Sequence, residues 1–310
     1  MIKKNDITVI IRSAGERTLD ACYQLLANIF EKEQIHIIEE VPFSKAVLRS
    51  LELGIEEKRP WFACVDADVL VHEEGVLNLL EYADNAPNEV FEIQGLILDK
   101  FFPVRRPAGN HLYRTKYAHR ALSMIPKEGT TLRPEATLLK NMAQAGYPWM
   151  QCDAVVGIHD FEQYYADIFR KCFLQAHKHD YLFQHILDYW LLKSTTDKDF
   201  EVANLGALYG FSFKGEIRID KSFQMDLAYY VFNIIGISEK KHLEDLPVSM
   251  VYDEFTNHSS VDGTKKLQNI IYPNHQKEFE INYHSKPSVI NQIKHHVKML
   301  LKKKSLISVF

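Results

Sequence analysis

Two aspartates, Asp66 and Asp68, follow the apolar run of residues 61–65 with only Ala67 between them. If the backbone stays extended there, side chains two residues apart point the same way and the two carboxylates lie side by side. Two hard oxygen ligands suit Mg²⁺ or Mn²⁺, which proteins commonly share with substrate phosphates. Solvated carboxylates at a strand end are the simpler interpretation, but the position of the pair after a buried strand favours a metal site.

The elements around this pair alternate between strand and helix. The predicted strands are short apolar or β-branched runs at residues 7–11, 34–40, 61–65, 90–98 and 154–158. The predicted helices have apolar residues at helical spacing and cover residues 19–29, 44–57, 75–83 and 134–146. This alternation predicts an α/β fold with a mostly parallel sheet flanked by helices. Ligands of such sheets bind beyond the carboxyl ends of the strands, where the aspartate pair stands.

The second half of the chain has a different pattern. From about residue 160 the spacing of apolar residues predicts a mainly helical region, so we expect one domain at 1–165 and a helical extension at 166–310. Residues 238–288 are polar and irregular, which favours a linker or a loosely ordered region. Residues 288–310 combine an apolar helical face with several lysines. That face suits either an anionic membrane surface or packing on its own domain with a solvated basic side.

Composition narrows the class of protein. The 310 residues are 46% hydrophobic and 25% charged, and a net charge of −4 gives no reason to expect a nucleic-acid partner. The four cysteines have no CxxC pairing or metal-type spacing and indicate reduced thiols. No signal peptide is evident, and no stretch reaches the roughly 18 apolar residues that span a bilayer. We therefore expect a cytoplasmic protein, at most bound to the inner face of the membrane.

Three segments together resemble the family 2-like glycosyltransferases of the GT-A fold. Residues 7–26, "ITVIIRSAGERTLDACYQLL", look like their first strand, nucleotide-contacting loop and first helix. Residues 43–83 resemble the helix that leads into their D-x-D strand and the helix beyond it. Residues 133–160 are similar to the segment in which an acidic pair opens a helix and a histidine ends the next strand. The resemblance covers about half of the chain.

The resemblance implies roles for individual residues. Asp66 and Asp68 match the motif that binds the metal and the diphosphate, and His159 matches a further metal or diphosphate contact in some members. Glu135 falls at the position of the catalytic base, with Pro134 in place of the other acid of the pair. The residues expected to contact the nucleotide sugar are Arg12, Ser13, Ala14, Glu16, Arg17, Glu39 and Ala67. Two features depart from the family: Arg12 replaces its usual proline, and "EEVPF" stands in place of its acidic turn after the second strand.

The expected activity is an inverting transfer of a sugar from a nucleotide-diphosphate sugar, with a UDP-sugar as the first expectation and Mn²⁺ or Mg²⁺ as cofactor. The acceptor would be a glycan, a lipid-linked saccharide or another hydroxyl compound. By family analogy the default role is cell-envelope polysaccharide synthesis. Glu135 would open a helix, where the helix dipole keeps the pKa of a carboxyl group low, as a base ionised at pH 7 requires.

Alternatives remain open for the site and for the whole protein. Glu135 is also interpretable as a first-turn helix acid and His159 as a core histidine, while Arg12 and Arg17 fit solvated loop arginines. The sequence "DADVL" also fits a haloacid-dehalogenase-like phosphatase, with Asp66 as nucleophile and Asp68 as acid/base. In that class the motif usually lies on the first strand, whereas two predicted strands precede it here. A non-catalytic nucleotide-sugar-binding protein would keep the site and show no turnover.

Overall fold

A computed structural model describes residues 2–259 except 179, 218–221, 223, 244 and 245. Its strands are β1 (Ile7–Arg12), β2 (Ile35–Ile38), β3 (Trp61–Asp66), β4 (Val69–Val71), β5 (Glu92–Asp99), β6 (Arg105–Arg106), β7 (Asn110–Arg114) and β8 (Trp149–His159). Its helices are α1 (Leu19–Ala27), α2 (Phe43–Glu57), α3 (Glu73–Asn85), α4 (Ala118–Leu122), α5 (Pro134–Gln144), α6 (Tyr165–Lys178), α7 (Asp180–Lys193), α8 (Lys198–Ser212), α9 (Met225–Ile235) and α10 (Val248–Ser259). Short 3₁₀ helices occupy Lys4–Asp6, Lys32–Gln34 and Thr115–Tyr117.

The strands form one eight-stranded sheet in the order β2-β1-β3-β7-β5-β8-β4, with β6 paired to β5. The pairings give β1, β2, β3, β5 and β8 one common direction, and β4, β6 and β7 run the other way. Most strands are therefore mutually parallel, and the predicted α/β class is confirmed.

Helices cover both faces of the sheet, as the alternation of β1 illustrates. Ile7, Val9 and Ile11 are buried in a core with α1 and α3. Ile10 points into a second core, formed with α2, α4 and α5. Successive side chains of a strand point to opposite faces, so a continuous apolar run fills both cores at once.

The predicted strands and helices of the first half are present, with shifted ends. The strand predicted at 154–158 begins earlier, at Trp149, and the one predicted at 34–40 is shorter. The prediction omitted β4, β6, β7 and α4. The omitted β7 runs antiparallel between β3 and β5 and has the polar sequence NHLYR, which lacks the apolar run used to recognise a buried strand.

The helical second half places α6 deep in the protein. Gly206 and Gly210 of α8 lie against the backbone carbonyls of Phe169 and Phe173 of α6, where a side chain on either glycine would clash. This close approach lets α8 cover α6, most of whose residues are buried. The described helices after residue 165 form one compact unit with the sheet. The predicted division at 165 and the acceptor-binding role of the helical region stay predictions.

The prediction of an irregular region at 238–288 is wrong for Val248–Ser259, which form α10, whereas the described residues 238–243, 246 and 247 belong to no helix or strand. Val251 is buried, and Tyr252 and Phe255 pack against the ring of His72 at centroid distances of 4.6 and 4.3 Å. These residues stand at helical spacing, a signal that the polar neighbours obscured. The basic segment 288–310 lies outside the described residues. Among the described helices, none combines the length and apolar character that crossing a membrane requires.

Candidate active site

A cleft of about 540 Å³ opens where β1 and β3 end, beside the start of α5 and one side of α6. The location agrees with the rule that open α/β sheets bind ligands beyond the carboxyl ends of their strands. The predicted site residues that line it are Arg12, Ser13, Ala14, Glu16, Asp66, Asp68, Glu135 and His159. Residues from segments more than 100 positions apart thus meet in one cavity.

The loop after β1 is shaped by its own side chains. The Glu16 carboxylate accepts hydrogen bonds from the Ala14 backbone N–H at 2.7 Å and from the Ser13 hydroxyl at 3.1 Å. Burial, followed by the nearby Asp68 carboxylate, raises the pKa of Glu16. Glu16 therefore holds the loop in shape on the cleft wall.

Arg17 and Glu39 lie outside the cleft lining. The Arg17 guanidinium pairs with Glu162 at 2.6 Å and donates to the Lys241 carbonyl at 2.8 Å, which ties the loop to later parts of the chain. Glu39 is exposed after the end of β2, and its neighbour Glu40 lines the cleft. The nucleotide contacts of Arg17 and Glu39 stay predictions.

The two aspartates are separated by a turn. β3 ends at Asp66, and Ala67 and Asp68 form the turn into β4, so the expected extended backbone stops at the first aspartate. Ala67 is fully buried: its N–H donates to the Arg12 carbonyl at 3.0 Å and its carbonyl accepts from the Thr18 hydroxyl at 2.7 Å. Ala67 therefore supports the turn, and the two carboxylates have different partners.

Arg12 joins two of the acids. Its guanidinium contacts the Asp66 carboxylate at 2.7 Å and the Glu135 carboxylate at 2.6 Å, and it lies 5.0 Å from the ring centre of Phe43. The residue is only 4% exposed. Burial lowers its pKa, but the two carboxylates more than offset this effect and raise it well above the ordinary value. Arg12 is thus a buried ion-pair residue and not a solvated loop arginine.

Glu135 occupies the first turn of α5 and is 7% exposed. One of its oxygens accepts hydrogen bonds from Arg12 at 2.6 Å and from the Tyr113 hydroxyl at 2.7 Å, and the other is paired with His111 Nε2 at 2.9 Å. Burial acts to raise the pKa of Glu135, but Arg12 and His111 hold it well below its usual range. Glu135 is an ionised carboxylate in a fixed position.

Behind Glu135, a buried pair extends the network into the sheet. His111 Nδ1 lies 2.8 Å from the carboxylate of Glu92, which is fully buried. Burial lowers the pKa of His111, but the two carboxylates raise it to about 9. Burial raises the pKa of Glu92 to about 7. His111 therefore bridges two carboxylates as an imidazolium ion at neutral pH.

A second cluster contains Asp68, His159 and Asp160, whose ligand atoms lie within 4.8 Å of one another. His159 Nε2 is 3.6 Å from Asp68, and its Nδ1 is 3.0 Å from both Asp160 and Asp99. The backbone N–H of Asp160 donates to the Asp68 carbonyl at 3.1 Å, which keeps the two acids adjacent. Asp66 lies outside this cluster and is paired with Arg12, and its predicted role as a metal ligand shared with Asp68 stays a prediction.

This second cluster fits a divalent cation. Asp68 Oδ1 is buried and has no hydrogen-bond partner among the described residues, so it is available as a ligand. Two carboxylates and an imidazole are a suitable donor set for such ions. Asp99 also holds His159 by its other nitrogen, as outer carboxylates commonly do at metal sites.

Lys171 of α6 donates to both Asp68 and Asp160. Burial acts to lower the pKa of its ammonium group, but the two carboxylates raise it well above the ordinary value. A cation bound to the cluster would therefore share these acids with a permanently charged lysine. Lys171 neutralises part of their charge from within the protein.

Several residues of the site were not predicted. They are Glu92, His111, Tyr113, Asp160 and Lys171. A signal for Glu92 exists: with Gln94 it places polar side chains two residues apart on one side of an otherwise apolar strand. Lys171 has no such signal, because α6 also contains Asp167, Arg170 and Lys178. The side-chain hydrogen bonds of Glu92, Tyr113 and Lys171 join residues between 11 and 103 positions apart along the chain, and spacing alone does not assign these partners.

Comparison with protein-family models gives no match, and comparison with curated proteins gives none either. Among solved structures, the chain is similar to a mannosyltransferase from Pyrobaculum calidifontis in complex with GDP-Man and Mn²⁺. The identity is 12% and the TM-score 0.36, over 86% of this chain and 83% of that chain. A glycosyltransferase involved in glycosylation of the major capsid of PBCV-1 matches at 13% identity and a TM-score of 0.34, over 47% of this chain and 82% of that one. At these TM-scores the similarities are weak.

Proposed function

We propose that the protein is a metal-assisted glycosyltransferase that moves a sugar from a nucleotide-diphosphate sugar to a hydroxyl acceptor. The observation that carries this proposal is one cleft with two acidic centres. It contains an ionised, anchored carboxylate, Glu135, and a separate cation-binding cluster of Asp68, His159 and Asp160. Transfer from a diphosphate donor requires both a base for the acceptor and a counter-charge for the leaving group.

The donor would occupy the side of the cleft formed by the loops after β1 and β2. Ser13, Ala14, Glu16 and Glu40 line that side, and a UDP-sugar is the first donor to test. A divalent cation held by Asp68, His159 and Asp160 would neutralise charge on the departing diphosphate. The Lys171 ammonium lies at the same carboxylates and adds a fixed positive charge there.

Glu135 would accept the proton of the acceptor hydroxyl as that oxygen forms its bond to the anomeric carbon and the bond to the diphosphate breaks, with inversion. Its three hydrogen bonds fix its position but also lower its basicity. An acceptor hydroxyl that bonds to Glu135 would displace one of these three donors from the carboxylate. Hydrogen bonds of catalytic groups commonly change in this way when substrate binds. Arg12 and His111 would then still be paired with the remaining acids, Asp66 and Glu92.

The ionisation of Asp68 argues against the phosphatase alternative, in which this residue is the acid/base. A general acid must be protonated when it acts. Burial acts to raise the pKa of Asp68, but Lys171 and His159 lower it below its usual value, so the group stays ionised. The non-catalytic alternative has one observation in its favour, the low basicity of Glu135. Donor binding is common to this alternative and to the proposed transferase, and only a measurement of turnover separates the two.

The test is thermal unfolding with UDP-, GDP- and CMP-sugars, each with and without Mn²⁺. A ligand at about 100 times its dissociation constant stabilises a fold by roughly 2.7 kcal/mol, which is about 5 °C at roughly 2 °C per kcal/mol. We expect a metal-dependent shift with one nucleotide in wild type and in Glu135→Gln, and none in Asp68→Asn. Asp188→Asn, which removes an exposed acid of α7, is the matched control. No shift with any nucleotide sugar would contradict the proposal.

A further inference from the structure

One wall of the cleft is lined by four cationic side chains. We call this set the basic wall: it consists of Arg106, Arg133, Arg170 and Lys178, all of which line the cleft. Arg106 has an acid partner, since its guanidinium binds Asp99. The wall also lies near Lys171, so five cationic side chains face the same cavity.

Arg170 is the clearest sign of a missing ligand. It is only 8% exposed, and its Nε is buried without a hydrogen-bond partner among the described residues. Its one described ion pair is a long one, 3.7 Å from Nη2 to Asp167 of the same helix. Buried guanidinium donors are normally bonded, because an unpaired buried donor is destabilising. Because Arg170 lines the cleft, an anion bound there would supply a partner for its guanidinium.

Lys178 is a second cationic residue of the wall, and its charged group lacks a partner among the described residues. Within those residues its ammonium group has neither a hydrogen bond nor an ion pair. Burial lowers its pKa to about 8, and Arg170, Arg133 and Arg106 add to this effect by repulsion. A nearby negative group stabilises the charged form of a buried lysine and so opposes this lowering of the pKa.

The basic wall is adjacent to the proposed base. Arg133 immediately precedes Pro134 and Glu135, and its guanidinium lies 3.5 Å from the Lys178 carbonyl. The end of α6 therefore meets the start of α5, whose first-turn N–H groups also favour an anion. The Asp68 cluster, which would hold the donor diphosphate, consists of other residues, and Arg106 connects it to the wall: its guanidinium binds Asp99 and lies 3.5 Å from His159 Nδ1.

We propose that the basic wall binds a carboxylate or phosphate carried by the acceptor, so that the acceptor is an acidic saccharide or a phosphorylated one. The proposal rests on the function given above, because it places the acceptor beside Glu135. Anionic groups on the transferred sugar, or the donor diphosphate itself, are the other sources of the same chemistry. Separate measurements on acceptor and donor distinguish them.

The probes are glucuronate and glucose 6-phosphate, with glucose as the neutral reference, titrated at constant ionic strength and followed by ligand-observed NMR. Wild type should bind both anionic sugars at least about 10-fold more tightly than glucose, as expected for charged hydrogen bonds in a buried site. Lys178→Gln and Arg170→Gln should lose that preference. Lys140→Gln, which removes an exposed lysine of α5, should keep it.

The donor side is measured in the same variants, by titrating UDP with Mn²⁺. Unchanged UDP affinity in Lys178→Gln supports an acceptor role for the wall, and a comparable loss of UDP affinity would overturn it by placing the diphosphate there. No preference for the anionic sugars in wild type would also overturn it. If the preference is present and depends on Lys178 while no nucleotide diphosphate binds at all, the glycosyltransferase proposal fails and the anion site stands.

Discussion

Arg12 offers the sharpest test of the buried charge network. Replacing it with methionine keeps an unbranched side chain and leaves Asp66 and Glu135 without their shared cation. The guanidinium is 3% exposed and the partner carboxylates are 28% and 10% exposed. Removing one partner of a buried ion pair costs about 3–5 kcal/mol, because the other charge stays buried and uncompensated. We expect a loss in that range for Arg12→Met at pH 7.

Arg49 provides the matched control. It also pairs with two acids, Glu52 and Glu56, but on the exposed side of α2 with a side chain that is 36% exposed. Exposed pairs of this kind contribute about 0–1 kcal/mol. Urea unfolding of wild type, Arg12→Met and Arg49→Met therefore compares the same chemical change in a buried and in an exposed setting.

The pH dependence gives a second signature of the same variant. Burial raises the pKa of Asp66 in the wild type, and Arg12 acts against that rise. Without Arg12 the folded-state pKa rises further above the unfolded value of about 3.9, so the folded variant binds protons that the unfolded chain does not. Its stability should therefore recover relative to wild type as the pH falls from 7 to about 4.5. Equal losses in Arg12→Met and Arg49→Met, or a difference from wild type that does not change with pH, would refute this account.

Three further outcomes follow from the site. The pKa of His111 is raised to about 9, so the stabilisation by its charge is complete below a pH of about 6.5 and is lost as the pH rises through 9. In urea unfolding, the stability difference between wild type and His111→Asn should therefore shrink by on the order of 2 kcal/mol between pH 6 and 9.5. A Cβ on Gly109, which has φ 60°, would lie 2.6 Å from the Val69 side chain, whereas Gly129 has φ 77° and open space around it. Gly109→Ala should therefore destabilise the fold by about 1–3 kcal/mol more than Gly129→Ala. Equal losses would show that the Val69 side chain moves away without cost. Asp160→Asn should weaken Mn²⁺ binding, followed by electron paramagnetic resonance, by about 10-fold or more, while Asp188→Asn should leave it unchanged; retained affinity in Asp160→Asn would remove Asp160 from the cation site.

The sequence predicts the elements of the fold where local pattern is strong. The apolar runs of β1 and β3 and the helical spacing of α2, α3 and α5 identify these elements, because burial of a continuous run or of one helix face leaves a direct trace. The antiparallel β7 leaves no such trace. Two of its residues, His111 and Tyr113, bind acids that lie on other elements, so the burial of β7 is visible only in the folded structure.

The sequence predicts where the site lies better than it predicts which residues pair with one another there. The aspartate pair, the loop after β1 and Glu135 all lie at the cleft, because strand ends and a helix start fix them there. The pairing of Arg12 with Glu135 joins residues 123 positions apart, and no spacing rule indicates it. The separation of Asp66 from Asp68 depends on a turn at Ala67, which the apolar residues on either side concealed.

The central claim is that this cleft catalyses sugar transfer with Glu135 as the base. The most direct measurement is the release of UDP or GDP from a panel of UDP- and GDP-sugars with Mn²⁺ and a mixture of neutral and acidic saccharide acceptors. Wild type, Glu135→Gln and Glu128→Gln are compared by chromatography; Glu128 is an exposed glutamate ahead of α5 and serves as the matched control. We predict release by wild type and Glu128→Gln, and loss of at least about 100-fold in Glu135→Gln, within the range of general base catalysis. Equal release by all three proteins would contradict the role of Glu135, and no release from any donor would contradict the claim itself.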